Sequence, residues 1–242
     1  MRQASAQEIA EQMIACLARL LRNGEIVFHG VASPIPMVAT LLAKRTHAPD
    51  LVYVSIAGGV DPEPSQVRAS TVDPVLLEGA RSQVTLTDLF DLAASGRLDT
   101  AFLSGVQIDG MGRTNMSVIG EFDRPKVRLP GGAGSAAIMP RAKRTLIWRT
   151  RHDPRVFVDR LDFVTATGNV DRVVTPLCVF RRVDGTLRVE SVHTWVEPEE
   201  VRAMTGFEAG LGDDVQQTPP VTVEERAAIA EIDPDRVALT EL

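Results

Sequence analysis

Near the start of the chain Ile9, Met13, Cys16, Leu17 and Leu20 recur at the spacing of one helix face. Ser5-Ala6-Gln7-Glu8 stands just ahead of them, a hydroxyl and a carboxylate three residues apart, which is the pattern of a reciprocal capping box. Asn23-Gly24 supplies the stop. Met1-Arg2-Gln3 therefore reads as leading into a polar-striped helix, not a signal peptide. Ile26-Val27-Phe28 is an apolar run of the length of a short buried strand. Ser33-Pro34-Ile35-Pro36 opens a second helix through about Arg45, since proline is tolerated in a first helical turn. Leu51-Val52-Tyr53-Val54 is the next strand. Alternation of strand, helix and strand predicts an α/β fold with parallel strands covered by helices.

Farther along the pattern is less regular. Asp61-Pro62-Glu63-Pro64 interrupts residues 60–86. Thr87 is expected to cap a helix from Asp88 to Ala94, stopped at Ser95-Gly96. Strands are expected at Ala101–Ser104, Met116–Ile119, Lys126–Leu129 and Thr145–Trp148. Thr175–Phe180 and Thr186–Val192 alternate like paired strands, with Asp184-Gly185 between them as a tight hairpin turn. A short helix begins at Glu197-Pro198 and is closed by Gly206, and one more is expected near Thr222–Ile232. No repeat and no compositional break divides the chain, so a single domain over 1–242 is expected, with a C-terminal tail from about 213.

Composition narrows the classes. At 242 residues, 44% hydrophobic and 24% charged, the chain has the balance of an ordinary globular protein. No apolar run approaches the roughly twenty residues that span a bilayer, so no membrane partner is expected. The net charge of −6 argues against a nucleic-acid partner. Cys16 and Cys178 lie far apart in apolar surroundings and read as reduced core residues of a cytoplasmic protein.

Two glycine-bearing segments are the candidates for chemistry. Gly105-Val106-Gln107-Ile108-Asp109-Gly110-Met111-Gly112 follows an expected strand, where ligands of open α/β sheets bind, although a turn needing glycine explains it equally well. Arg128-Leu129-Pro130-Gly131-Gly132-Ala133-Gly134-Ser135 lets a ligand touch backbone directly and leaves N–H groups to face developing negative charge. A bulge where two backbones meet is the alternative. Arg128 could meet a carboxylate or phosphate, or be a solvated edge residue. His29 ends a buried strand and reads as a satisfied core histidine. His47, His152 and His193 lack metal-ligand spacing, and no Gly-x-Ser-x-Gly is present, so neither a metal nor a serine triad is expected.

Three segments in order, Gly105–Asn115, Lys126–Ala136 and Val179–Leu211, together resemble the β subunit of family I coenzyme A transferases. The resemblance spans roughly residues 5–212. It implies a sugar-isomerase/CoA-transferase-like fold: an open, mostly parallel sheet flanked by helices, with a C-terminal β-hairpin and helix. It also implies an obligate α-subunit partner and a CoA thioester as substrate, with no permanently bound cofactor. By the same resemblance Ser55, Ile56, Gln107, Asn115, Arg128, Gly131, Gly132, Ala133, Gly134 and Ser135 would bind substrate or coenzyme A and stabilise an oxyanion. In these transferases a glutamate at the end of the early strand attacks the thioester. Here that stretch reads Val54-Ser55-Ile56-Ala57-Gly58-Gly59, with Ile56 at the position of the acid. Glu63 is the nearest replacement, but prolines flank it. A branch of the superfamily departs in the same way: it is similar to the β subunits of the steroid-ring-opening coenzyme A hydrolases of actinobacterial cholesterol catabolism. The chemistry this implies is hydrolytic retro-Claisen cleavage of a cyclic β-keto acyl-CoA, with the base supplied by the α subunit. The transferase reaction is the alternative.

Overall fold

The computed structural model describes residues 3–212 and 215–242; Met1, Arg2 and the first two residues of the expected tail lie outside them. The chain divides into two compact units, Ala4–Phe102 with Pro220–Leu242, and Leu103–Pro219.

The first unit begins with α1 (Ala6–Arg19). Its capping box is formed as the sequence implies: Ser5 Oγ accepts the Glu8 N–H at 3.2 Å and Glu8 Oε2 accepts the Ser5 N–H at 2.9 Å. Then come β1 (Ile26–His29), α2 (Pro34–Thr46), β2 (Val52–Val54), β3 (Gly59–Val60), β4 (Ser82–Gln83), α3 (Leu86–Ala94) and β5 (Thr100–Leu103). The strands lie in the order β5-β1-β2-β3-β4. β1 is parallel to both β2 and β5, while β3 and β4 turn back antiparallel. Met13, Leu17, Val27, Phe28, Ile35, Leu42 and Phe102 are sealed from solvent, so α1 and α2 bury the apolar stripes read from their spacing.

The cap of α3 is a correction. The helix starts two residues earlier than expected, because Thr85, not Thr87, makes the reciprocal box with Asp88. Asp at the third helical position serves where the usual pattern has Glu or Gln.

The second unit carries β6 (Gln107–Asp109), β7 (Thr114–Asn115), β8 (Val118–Gly120), β9 (Pro125–Arg128), a four-residue α4 (Ser135–Ile138), β10 (Arg144–Trp148), β11 (Phe157–Val158), β12 (Val170–Val174), β13 (Cys178–Val183), β14 (Thr186–Val192), α5 (Pro198–Met204) and β15 (Gln216–Gln217). Its larger sheet runs β15-β14-β13-β12-β10, with β10 and β12 parallel and β12, β13 and β14 antiparallel. Asp184 and Gly185 turn the β13–β14 hairpin, both at positive φ (49° and 83°).

Two expectations fail locally in this unit. Thr175–Leu177 is a turn, and the strand before it is β12, whose charged middle hid it. Arg172 in β12 is neutralised by Glu190, with Nε to Oε2 at 2.7 Å. Gly206 does not end α5 by a left-handed cap. A Cβ there would lie 2.6 Å from the Phe157 carbonyl oxygen, so glycine is needed for close backbone approach.

The chain then returns to the first unit with α6 (Val223–Ile232), capped by Thr222. The helix-flanked, mostly parallel α/β class expected from the sequence is the class observed.

Candidate functional site

The candidate residues fall into two groups, one in each unit. In the first unit β2 runs into a tight turn. Gly58 N–H donates to Ser55 O at 3.0 Å, and Ser55 N–H to Gly59 O at 2.9 Å. Ser55 Oγ accepts the Gly59 N–H at 3.1 Å. Gly58 sits at φ 97°, and a Cβ would lie 2.7 Å from Val84 O, so only glycine closes this turn. Ile56 is thereby held at the corner, lining an open cleft of about 270 Å³ with Ser55, Ala57, Gly58, Val84, Thr85, Leu86 and Leu89. No charged side chain is among the lining residues. Glu63 is not among them either; it is exposed, and its N–H donates to Glu78 O at 2.8 Å.

The first unit's buried histidine is not available for proton transfer. His29 lies wholly inside, with Nδ1 2.7 Å from Ser33 Oγ and Nε2 hydrogen-bonded to the Tyr53 hydroxyl. Burial holds its pKa down to about 4. The same desolvation pushes the Tyr53 phenol far above its ordinary value. His29 is the satisfied core histidine that the sequence reading anticipated.

In the second unit the glycine segment forms a β-turn, closed by Ser135 N–H to Gly132 O at 2.8 Å. Ala133 takes the corner at a φ of 43°, a strained value for a residue with a Cβ. Gly131 N–H is already committed to Met116 O at 2.8 Å. The N–H groups of Gly132, Ala133 and Gly134 have no acceptor among the described residues. Ser135 Oγ is buried and likewise without a partner among them.

Gln107 and Asn115 have their amides engaged internally. Asn115 Nδ2 donates to Gln107 Oε1 at 2.7 Å and to Val118 O at 2.6 Å. Gln107 Nε2 donates to Asp162 Oδ2 at 3.1 Å. Arg128, at the exposed end of β9, places its guanidinium 5.2 Å from the Phe122 ring centroid. Phe122 in turn stacks on Phe163 at 4.9 Å. The sequence reading missed Thr165, whose Cγ2 would lie 2.5 Å from a Cβ built on Gly132; no local motif marks it.

The other two buried histidines share a partner. His152 Nδ1 is 2.9 Å from Thr175 Oγ1, and His193 Nε2 is 2.9 Å from Thr175 O. Burial lowers the pKa of His152 to about 3 and that of His193 to about 4. Cys16 and Cys178 are free and buried, and burial pushes both thiols up, Cys16 to about 11. Among the described residues no cluster of three His, Cys, Asp or Glu is placed to hold a metal, and no helix is long and apolar enough to cross a membrane.

A large, mostly parallel sheet flanked by helices defines the class as α/β. More specifically, the family model described as Coenzyme A transferase matches residues 10–201, and the chain belongs to that family. It is 32% identical to the B-type component of the 3-oxoadipate CoA-transferase of Pseudomonas knackmussii, over 93% of each chain. It is 29% identical to the cholesterol ring-cleaving hydrolase IpdB subunit of Rhodococcus jostii, over 91% of this chain and 90% of that one. Among solved structures, the decarboxylase AibA/AibB superposes with a TM-score of 0.91 at 32% identity, covering 97% of this chain and 98% of that one. These relatives are subunits or two-component proteins.

Proposed function

We propose that this chain is the β-type subunit of a heteromeric enzyme that opens a cyclic β-keto acyl-CoA, derived from the steroid C and D rings, by hydrolytic retro-Claisen cleavage. The observation that carries the reading is Ile56 at the corner of the cleft, where a transferase presents its attacking carboxylate. An isoleucine cannot take up coenzyme A as an acyl thioester, so the thioester stays intact. The cholesterol ring-cleaving relative supports the reading, and the decarboxylase shows that this fold is not confined to group transfer.

In the scheme, water adds to the ring ketone while a base accepts its proton. The bond from the carbonyl carbon to the α carbon then breaks. Its electron pair is held as the thioester enolate, which is protonated at carbon, and the former ketone carbon becomes a carboxylate on the same, ring-opened molecule. Fixed donors stabilise the oxyanions, and Gly132, Ala133 and Gly134 offer three free N–H groups for this. Arg128, a few residues ahead of them in the chain, is proposed as a cation for an acidic part of the substrate. The buried, neutral histidines of this chain are sealed away from solvent, so we assign the base to an α-type partner. A CoA thioester is the substrate, and no resident cofactor enters the scheme. The two buried thiols fit a reducing compartment, and we place the enzyme in the cytoplasm.

The test is to assemble the complex with its α-type partner and supply a cyclic β-keto acyl-CoA in 18O-labelled water. The expected product is ring-opened, retains its thioester and carries one 18O in the new carboxylate. The transferase reading is favoured by the 3-oxoadipate relative. It predicts instead borohydride-sensitive loss of activity and coenzyme A appearing on an added acid, and either result overturns the hydrolase. Alanine replacement of every acidic residue in the partner's cleft should include at least one inactive variant; full activity throughout refutes the assignment of the base.

A further inference from the structure

We infer that Thr165 is the positioning residue of the Gly131–Gly134 turn, its hydroxyl and its methyl performing separable tasks. This rests on the reading of that turn as the oxyanion site. The methyl task follows from Gly132. A Cβ built on Gly132 would lie 2.5 Å from Thr165 Cγ2, so the methyl fills the space under the turn and sets its height.

The hydroxyl task follows from Met116. Thr165 Oγ1 accepts the Met116 N–H at 2.8 Å and lies 2.7 Å from Ser117 Oγ. The Met116 carbonyl in turn accepts the Gly131 N–H at 2.8 Å, and the Ser117 carbonyl accepts the Leu129 N–H at 2.9 Å. The hydroxyl therefore ties down the link between β7 and β8, to which the turn is hydrogen-bonded. Thr165 is itself anchored through its own N–H, which donates to Thr114 O at 2.9 Å.

A β-branched side chain has few rotamers, so methyl and hydroxyl are presented together in one orientation. Serine keeps only the hydroxyl and valine only the shape. Either loss lets Gly132 and Ala133 drift, and a shift of about 1 Å at donors aimed at a developing charge lowers kcat on the order of 100-fold while ground-state binding is spared.

The test uses Thr165→Val and Thr165→Ser in the assembled complex, with two readouts. Hydrogen exchange is expected to quicken in both variants at Gly131 and Ser135, whose N–H groups are hydrogen-bonded at the turn, and at Met116 in Thr165→Val alone. Turnover of the cyclic β-keto acyl-CoA is expected to show kcat reduced at least tenfold, with KM changed less than threefold. Exchange at Gly131 and Ser135 like wild type in both variants overturns the inference, as does exchange that rises uniformly across the chain. If wild type opens no ring, the proposed reaction fails, while the exchange pattern still decides the role of Thr165.

Discussion

At the scale of single residues, what this chain lacks shapes its chemistry as much as what it carries. In the proposed function Ile56 stands where a transferase has an acid, and three of the four histidines are shut in hydrogen-bonded pockets. Those histidines have a measurable consequence. Below pH 6.5 each binds a proton in the unfolded chain but not in the folded one, whose values are near 4 for His29 and His193 and near 3 for His152. Their depressed folded values mean that stability falls as pH drops from 6.5, and this loss levels off once the folded groups titrate. Three such protons correspond to a slope of about 4 kcal/mol per pH unit. Denaturant unfolding between pH 6.5 and 5, where unfolded carboxylates stay largely ionised, should show stability falling toward that slope. His29→Gln should remove about one proton from the linkage; a flat profile would contradict the sealed, neutral state. Burial of His29 was legible in the sequence because it ends an apolar strand. The pairing of His152 with His193 through Thr175 was not, since 41 residues separate the two histidines along the chain.

At the scale of elements, local rules located most helices and strands and erred where two rules compete. Thr85 precedes α3 and Thr87 lies in its first turn, and either could cap a helix here by type alone. The structure selects Thr85, which lies three residues before Asp88. Thr85→Ala should therefore destabilise the first turn of α3 by about 1 kcal/mol, while Thr87→Ala changes little. Amide exchange at residues 86–89 distinguishes the two, and equal effects would contradict the assigned cap. The missed strand β12 has a different cause. Its Asp171 and Arg172 look like loop residues until Arg172 meets Glu190 on a strand not yet paired in the sequence. Gly168 belongs to the same class. A Cβ there would lie 2.3 Å from Met139 O, a contact between segments that no local pattern announces.

At the scale of the molecule, the tail from Pro220 onward is part of the first unit and not an appendage. Glu225 takes the Arg19 guanidinium on both oxygens, with Nε to Oε1 at 2.7 Å. Arg226 meets Glu11 at 3.1 Å, and Arg45 pairs with Glu231. Glu241 Oε1 accepts the Ile35 N–H at 2.7 Å, serving the first turn of α2, where Pro34 and Pro36 have no N–H to offer and Ser33 makes no side-chain cap. Ile229 and Ala238 are buried. A chain ending at Pro219 should lose protection at the amides of α1 and α2 by tenfold or more, about 1.4 kcal/mol. Unchanged exchange there would show that the tail is dispensable.

By itself the sequence determined the capped helices, the alternation that makes an α/β sheet, the Asp184-Gly185 hairpin, the glycine turn and the absence of an acid at position 56. Each depends on residues within a few positions of one another, where capping, period and allowed φ act directly. Only the tertiary structure decided that Gln107 and Asn115 spend their amides on each other, Asp162 and Val118, that Gly131 has no free N–H, that Thr165 packs close to Gly132 and that Glu241 serves α2. These depend on which distant segments meet, and a buried polar group takes whatever partner folding brings to it, because leaving it unpaired is costly.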